Sequence, residues 1–191
     1  MSRPRDEQRR DELLAGAFDY AAQHGLANLS LRPLARALGT SDRMLMHYFG
    51  SKDELVTRIL RVSRPDLDTL FASVRGHELS EFARGLWEQM TDDRAQAPRV
   101  RLMLEVMALA VHRPEDYGAV AADAHREWID SAATALTREL GLPAPEASAR
   151  ATALVSGLKG LALDYFVSGD RTRVDAAAEA LIATVTLSHR H

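Results

Sequence analysis

The chain has 191 residues, 46% hydrophobic and 27% charged, with 11 Gly and 7 Pro. That is the composition of a folded protein with a sizeable core, and it excludes an intrinsically disordered one. The absence of Cys rules out disulfide scaffolding, thiolate metal sites and cysteine nucleophiles. The net charge of −3 argues against nucleic acid, but residues 1–64 hold 11 Lys+Arg against 8 Asp+Glu while residues 65–191 hold 13 against 19, so a mildly basic head precedes an acidic body.

The pattern is helical almost throughout, and no stretch alternates apolar and polar residues long enough for a strand. Leu13, Leu14, Ala17, Phe18 and Ala21 predict a first helix over 6–24, closed by Gly25. Ser30 precedes Leu31, Leu34, Ala35 and Leu38, which predict a second helix with Pro33 in its first turn and Gly39 at its end. Thr40 and Ser41 start a third, very short helix to about His47, and Gly50-Ser51 precede a fourth that begins at Lys52. Pro65, Pro98, Pro114, Pro143 and Pro145 then punctuate predicted helices near 66–75, 79–92, 98–111, 114–140, 145–168 and 173–188. No apolar run reaches the roughly 20 residues of a membrane span, and the charged N-terminus does not resemble a signal peptide, so a soluble, cytoplasmic protein without a membrane partner is expected.

The second and third helices, joined by the turn at Gly39-Thr40, have the dimensions of a helix-turn-helix, whose second helix enters the major groove of DNA. Asp42 and Arg43 lie at the leading end of that helix, where free N–H groups and a positive dipole favour phosphate, while Leu45 and Phe49 face inward. Arg43 suits bidentate pairing with a guanine edge, and His47 suits a base or a phosphate.

The run from Leu31 to Leu55 resembles the DNA-binding signature of TetR-family regulators. It does so at Leu34, Ala35, Leu38, Gly39, Ser41, Leu45, Tyr48, Phe49, Lys52, Glu54 and Leu55, with Ala17, Phe18 and Gly25 before it. The resemblance covers about residues 8–57 and departs at Met46, where the family usually carries an aromatic residue. It implies that Lys52 and the Tyr48 hydroxyl contact phosphates. Thr40, Ser41, Asp42, Arg43, Met44 and His47 then form the groove-facing surface, and Ser30 and Arg32 serve the flanking backbone. Ser30 and Ser41 have a competing and simpler reading as helix caps, the usual role of Ser at a helix start. The expected architecture is all-α, with a helix-turn-helix DNA-binding domain over 1–50 and a larger helical effector-binding and dimerisation domain over 51–191.

A lone helix-turn-helix reads few base pairs, so two copies on a palindromic operator are expected. Ala149, Ala153, Ser156, Gly157, Gly160 and Leu161 on the penultimate helix, with Leu181 and Val185 on the last, are the candidate dimer interface, and simple burial within one chain is the competing reading. Phe71, Trp87, Met90, Met103, Met107, Tyr117, His125, Trp128 and Tyr165 are candidates to line a pocket for a small, largely apolar effector, each of them also suited to ordinary core. The function expected is that of a transcriptional regulator, a repressor released from DNA by its effector. The alternatives are an all-α enzyme or carrier without DNA binding, or a regulator that senses a protein partner. No histidine spacing suits a metal site and no phosphate loop or nucleophile motif is present, so neither catalysis, metal nor cofactor is expected.

Overall fold

The structure is a computed structural model and describes residues 3–26, 29–62, 79–92 and 97–187. Every regular element among these residues is helical. α1 is Arg3–His24, α2 Leu31–Ala37, α3 Asp42–Phe49, α4 Lys52–Val62, α5 Leu79–Thr91, α6 Ala97–His112, α7 Ala119–Leu140, α8 Ala144–Ser168 and α9 Arg171–Thr186. The helix predicted near 66–75 and its Phe71 lie outside the described residues. Pro114–Gly118 forms a π-helical turn ahead of α7, where the spacing predicts one continuous α-helix over 114–140. A π turn holds more residues than an α turn and so redirects the side chains within it; here it carries Tyr117, which is buried.

The chain divides into two compact units, residues 1–64 with 101–122 and residues 65–100 with 123–191. The first unit thus reaches beyond residue 50, where the sequence pattern alone places a boundary. The reason is a single apolar core: α1 supplies Leu13, Ala17, Phe18 and Ala21, α2 Leu34 and Ala35, α3 Leu45 and Phe49, and α4 Leu55, Val56 and Ile59. Leu102, Val106, Tyr117 and Val120 complete that core from the 101–122 segment. Truncating one of these buried leucines to Ala would cost about 2–5 kcal/mol, the usual sum of lost transfer energy and residual cavity.

In the second unit α8 and α9 form an antiparallel hairpin. Gly169, at φ +70°, ends α8, and its N–H bonds the Tyr165 carbonyl at 2.8 Å. The Asp170 carboxylate then caps α9 by accepting from the Arg173 N–H at 3.1 Å. Arg173 reaches back with both guanidinium branches to Asp164, at 2.7 and 2.8 Å, which clamps the turn. α5 joins the pair through Trp87, whose Nε1–H donates to Asp175 at 2.7 Å, and through the ion pair of Arg84 with Glu179.

Candidate nucleic-acid interface

The turn that presents α3 is built by hydrogen bonds of the backbone. At the end of α2 the Thr40 N–H donates to the Ala35 carbonyl at 2.9 Å and the Gly39 N–H to the Arg36 carbonyl at 3.3 Å, with Gly39 at φ +60°. This is the Schellman arrangement, which satisfies the last carbonyls of a helix and needs a left-handed residue at the glycine position. Ser41 then caps α3, its Oγ accepting from the Met44 N–H at 3.2 Å. Ser30 stands at the corresponding position of α2 without a side-chain cap bond.

α3 is anchored from below by Leu45 and Phe49, which are 1% and 2% exposed. Its opposite face carries Asp42, Arg43, Met44, Met46 and His47, all exposed. Two bare methionines on an eight-residue helix expose apolar surface that water solvates poorly and the edge of a base pair could cover. Asp42 faces Arg32 of α2 at 3.8 Å, and the Arg32 side chain is 89% exposed, so this contact leaves the guanidinium accessible. Thr40 is half-buried and Ser41 exposed; Tyr48 is half-buried, its ring edge-on to His47 at 5.3 Å.

α3 closes at Gly50 (φ +78°, ψ −60°), and the Ser51 N–H donates to the Phe49 carbonyl at 2.9 Å. A γ-turn of this sign is strained for any side chain, so glycine is required. Ser51 next caps α4, its Oγ accepting from the Glu54 N–H at 3.0 Å, which leaves Lys52 exposed on the first turn. The two caps and two glycines thus place Arg43 and Lys52 at the leading ends of consecutive helices.

Three residues that the sequence pattern did not single out hold this frame within the first unit. The Glu105 carboxylate of α6 accepts from the Leu26 N–H at 2.5 Å, just after Gly25, whose φ of +78° ends α1. A Cβ on Gly25 would lie 2.8 Å from that carboxylate, so the glycine serves both its backbone angle and this approach. Asp53, next to Lys52, accepts from the Tyr117 hydroxyl and from Arg113 Nη2, the latter at 3.2 Å. Tyr117 and Arg113 hold the Asp53 carboxyl below its ordinary value, while burial and Asp53 push the Tyr117 hydroxyl up to about 12. Charged partners at sequence separations of 60 and more leave no periodic signal.

The residues expected to line an effector pocket fall into both units. Met103, Met107 and Tyr117 belong to the first, and the hydroxyl of Tyr117 is committed to Asp53. Trp87, Met90, His125, Trp128 and Tyr165 belong to the second. There Trp87 is buried with its N–H on Asp175, and Arg171 lies over the Tyr165 ring at 5.5 Å. Met90 and Trp128 are half-buried, and His125 meets Lys159, with Nζ 2.8 Å from Nδ1. Lys159 escaped attention in the sequence, although its place among Leu154, Val155, Leu158 and Ala162 sets a cation on an apolar helix stripe.

Of the residues expected at a dimer interface, Ala149, Ala153, Ser156 and Gly160 are exposed along α8 and Leu161 is half-buried. Gly157, Leu181 and Val185 instead serve packing within the chain. A Cβ on Gly157 would lie 2.5 Å from Leu181 Cδ2, and Val185 is buried. Helical spacing cannot separate the two faces of α8 because both carry small residues.

Residues 13–59 match the family described as bacterial regulatory proteins, tetR family. The HTH-type transcriptional regulator BetI of Stenotrophomonas maltophilia is 27% identical over 111 residues, which are 56% of this chain and 57% of that protein. The HTH-type transcriptional repressor AcnR of Corynebacterium efficiens is 34% identical over 79 residues, 41% of this chain and 40% of that one. The chain therefore matches about half the length of these curated relatives. A solved structure of a transcriptional regulator from Rhodococcus sp. Rha1 covers 92% of this chain and 95% of its own, with 25% identity and a TM-score of 0.76. The family match falls on the four helices built around Gly39, Ser41 and Gly50, and residues 13–59 carry the DNA-binding region of the tetR family of bacterial regulatory proteins.

Proposed function

We propose that the protein is a transcriptional regulator, most simply a repressor, that binds a palindromic operator as a homodimer and is released by a small, largely apolar molecule. The observation that carries this reading is α3 itself, a helix capped by Ser41, rooted by Leu45 and Phe49, and bare on its opposite face at Arg43, Met44, Met46 and His47. Arg43, Met44 and His47 read base edges with Asp42 and Thr40 alongside, Lys52 and Tyr48 hold phosphates, and Ser30 and Arg32 meet the flanking backbone.

The dimer forms through α8 and α9, the helices of the second domain. In favour of this, α8 exposes Ala149, Ala153, Ser156, Gly160, Leu163 and Val167 at helical spacing, and Val167 is 80% exposed. Gly160 adds a second argument. A mid-helix glycine costs about 1 kcal/mol relative to Ala, and none of the described residues lies within 4 Å of where its Cβ would be; close approach by a second copy gives that open space a use.

Effector binding in the second unit favours an arrangement in which the two recognition helices no longer fit the operator. Chain continuity supports this route, because α6 and α7 contribute residues to both units. Within the first unit Glu105 of α6 and the Arg113–Tyr117 turn hold the α1 end and the start of α4.

Footprinting the purified protein on DNA upstream of its own and neighbouring genes tests the reading. A protected, two-fold symmetric site that is lost in Arg43→Ala supports it. Binding without sequence preference, or equal protection by the variant, refutes it.

A further inference from the structure

Lys159 is the one charged side chain among the buried residues of α8, 7% exposed between Val155, Leu158 and Ala162. Its ammonium carries three donors. Nδ1 of His125, on α7, takes one of them at 2.8 Å, and no carboxylate among the described residues pairs with it. Burial lowers the Lys159 amine to about 8, and burial together with Lys159 lowers the His125 ring. At neutral pH the lysine is therefore mainly protonated and the imidazole neutral, with Nδ1 accepting. Two N–H donors and a net positive charge remain in apolar surroundings, a costly state unless an anion completes it.

The chemistry of the missing partner follows from the charge. One ammonium beside a neutral imidazole balances a monoanion, and the two free donors match the two oxygens of a carboxylate. The aliphatic neighbours on α8, with Trp128 one helical turn beyond His125, suit an apolar body on that anion.

We propose that Lys159, positioned by His125, is an anion-recognition site in the second unit that takes the carboxylate of a small, largely apolar organic acid. The inference rests on the effector-binding reading and names the chemical class of the effector.

Calorimetric titration of the full chain with monocarboxylates from acetate to decanoate and from benzoate to phenylbutyrate, each against its neutral amide, tests the site. The expected result is that at least one acid binds about tenfold or more tightly than its amide, and that Lys159→Met removes this preference. Lys159→Met replaces the amine by an apolar side chain of similar length, and circular dichroism checks that it folds; Lys159→Arg keeps the charge and should retain the preference for acid over amide. The site is overturned if no acid is preferred to its amide, or if the preference survives in Lys159→Met. Operator DNA separates this from the broader reading. Carboxylates that bind through Lys159 without releasing DNA refute the effector role and keep the site, whereas release by neutral amides alone, in both wild type and Lys159→Met, keeps the effector role and refutes the site.

Discussion

Lys159→Met should make the ligand-free protein more stable at neutral pH. In the unfolded chain the amine releases its proton near 10.5, and in the fold near 8, so the charged form is disfavoured in the fold by roughly 3 kcal/mol. Removing the amine also takes a donor from His125 Nδ1, and leaving that acceptor without a partner costs about 1–3 kcal/mol. The expected net gain is about 1 kcal/mol. The pH dependence is the sharper signature. Because the folded value lies below the unfolded one, the unfolded chain holds more protons between about pH 8 and 10.5, and wild-type stability rises across that window as the penalty is relieved. Lys159→Met lacks this rise, so its advantage of about 1 kcal/mol near pH 7 should vanish above pH 8 and reverse to a deficit of about 2 kcal/mol by pH 10.5. Urea unfolding followed by circular dichroism over pH 6.5–10.5 measures it, and the titration of Tyr117 cancels in the difference. A difference that stays flat with pH, or a variant less stable than wild type throughout, refutes the description of Lys159 as a buried and uncompensated cation.

Lys52→Ala should weaken binding to every DNA sequence and reduce the slope of log affinity against log salt by about one, as expected for one lost phosphate contact; Arg43→Ala should cost about 1–3 kcal/mol, concentrated at one base position, and a fluorescence anisotropy titration over operator variants and salt separates the two. Gly50→Ala forces an L side chain into φ +78° and should destabilise the chain by about 1–2 kcal/mol in urea unfolding, although none of the described residues lies within 4 Å of the new methyl group. Asp53→Asn should remove an acid-sensitive tie. The folded pKa of Asp53 lies below its unfolded value of 3.8, so its contribution is present above that value and fades as pH falls through the lower one. Urea unfolding between pH 2.5 and 6 should show the gap between wild type and Asp53→Asn closing below about pH 4.

The amino-acid sequence by itself determined the helices and the turns of the head. Leu13, Ala17, Phe18, Leu45 and Phe49 repeat at helical spacing, and Gly39, Ser41 and Gly50 act on neighbours within four residues, so a local pattern carries their meaning. Only the tertiary structure decided that Asp53 meets Tyr117 and Arg113, that Glu105 holds the Leu26 N–H, and that Lys159 lies beside His125 with no acid beside it among the described residues. It also separated Gly157, which makes room for Leu181, from Gly160, whose Cβ position meets none of the described residues. The physical reason is the range of the interaction. Helical period and capping are set by bonds three or four residues apart, whereas the partner of a buried polar group is chosen by whichever distant helix packs against it.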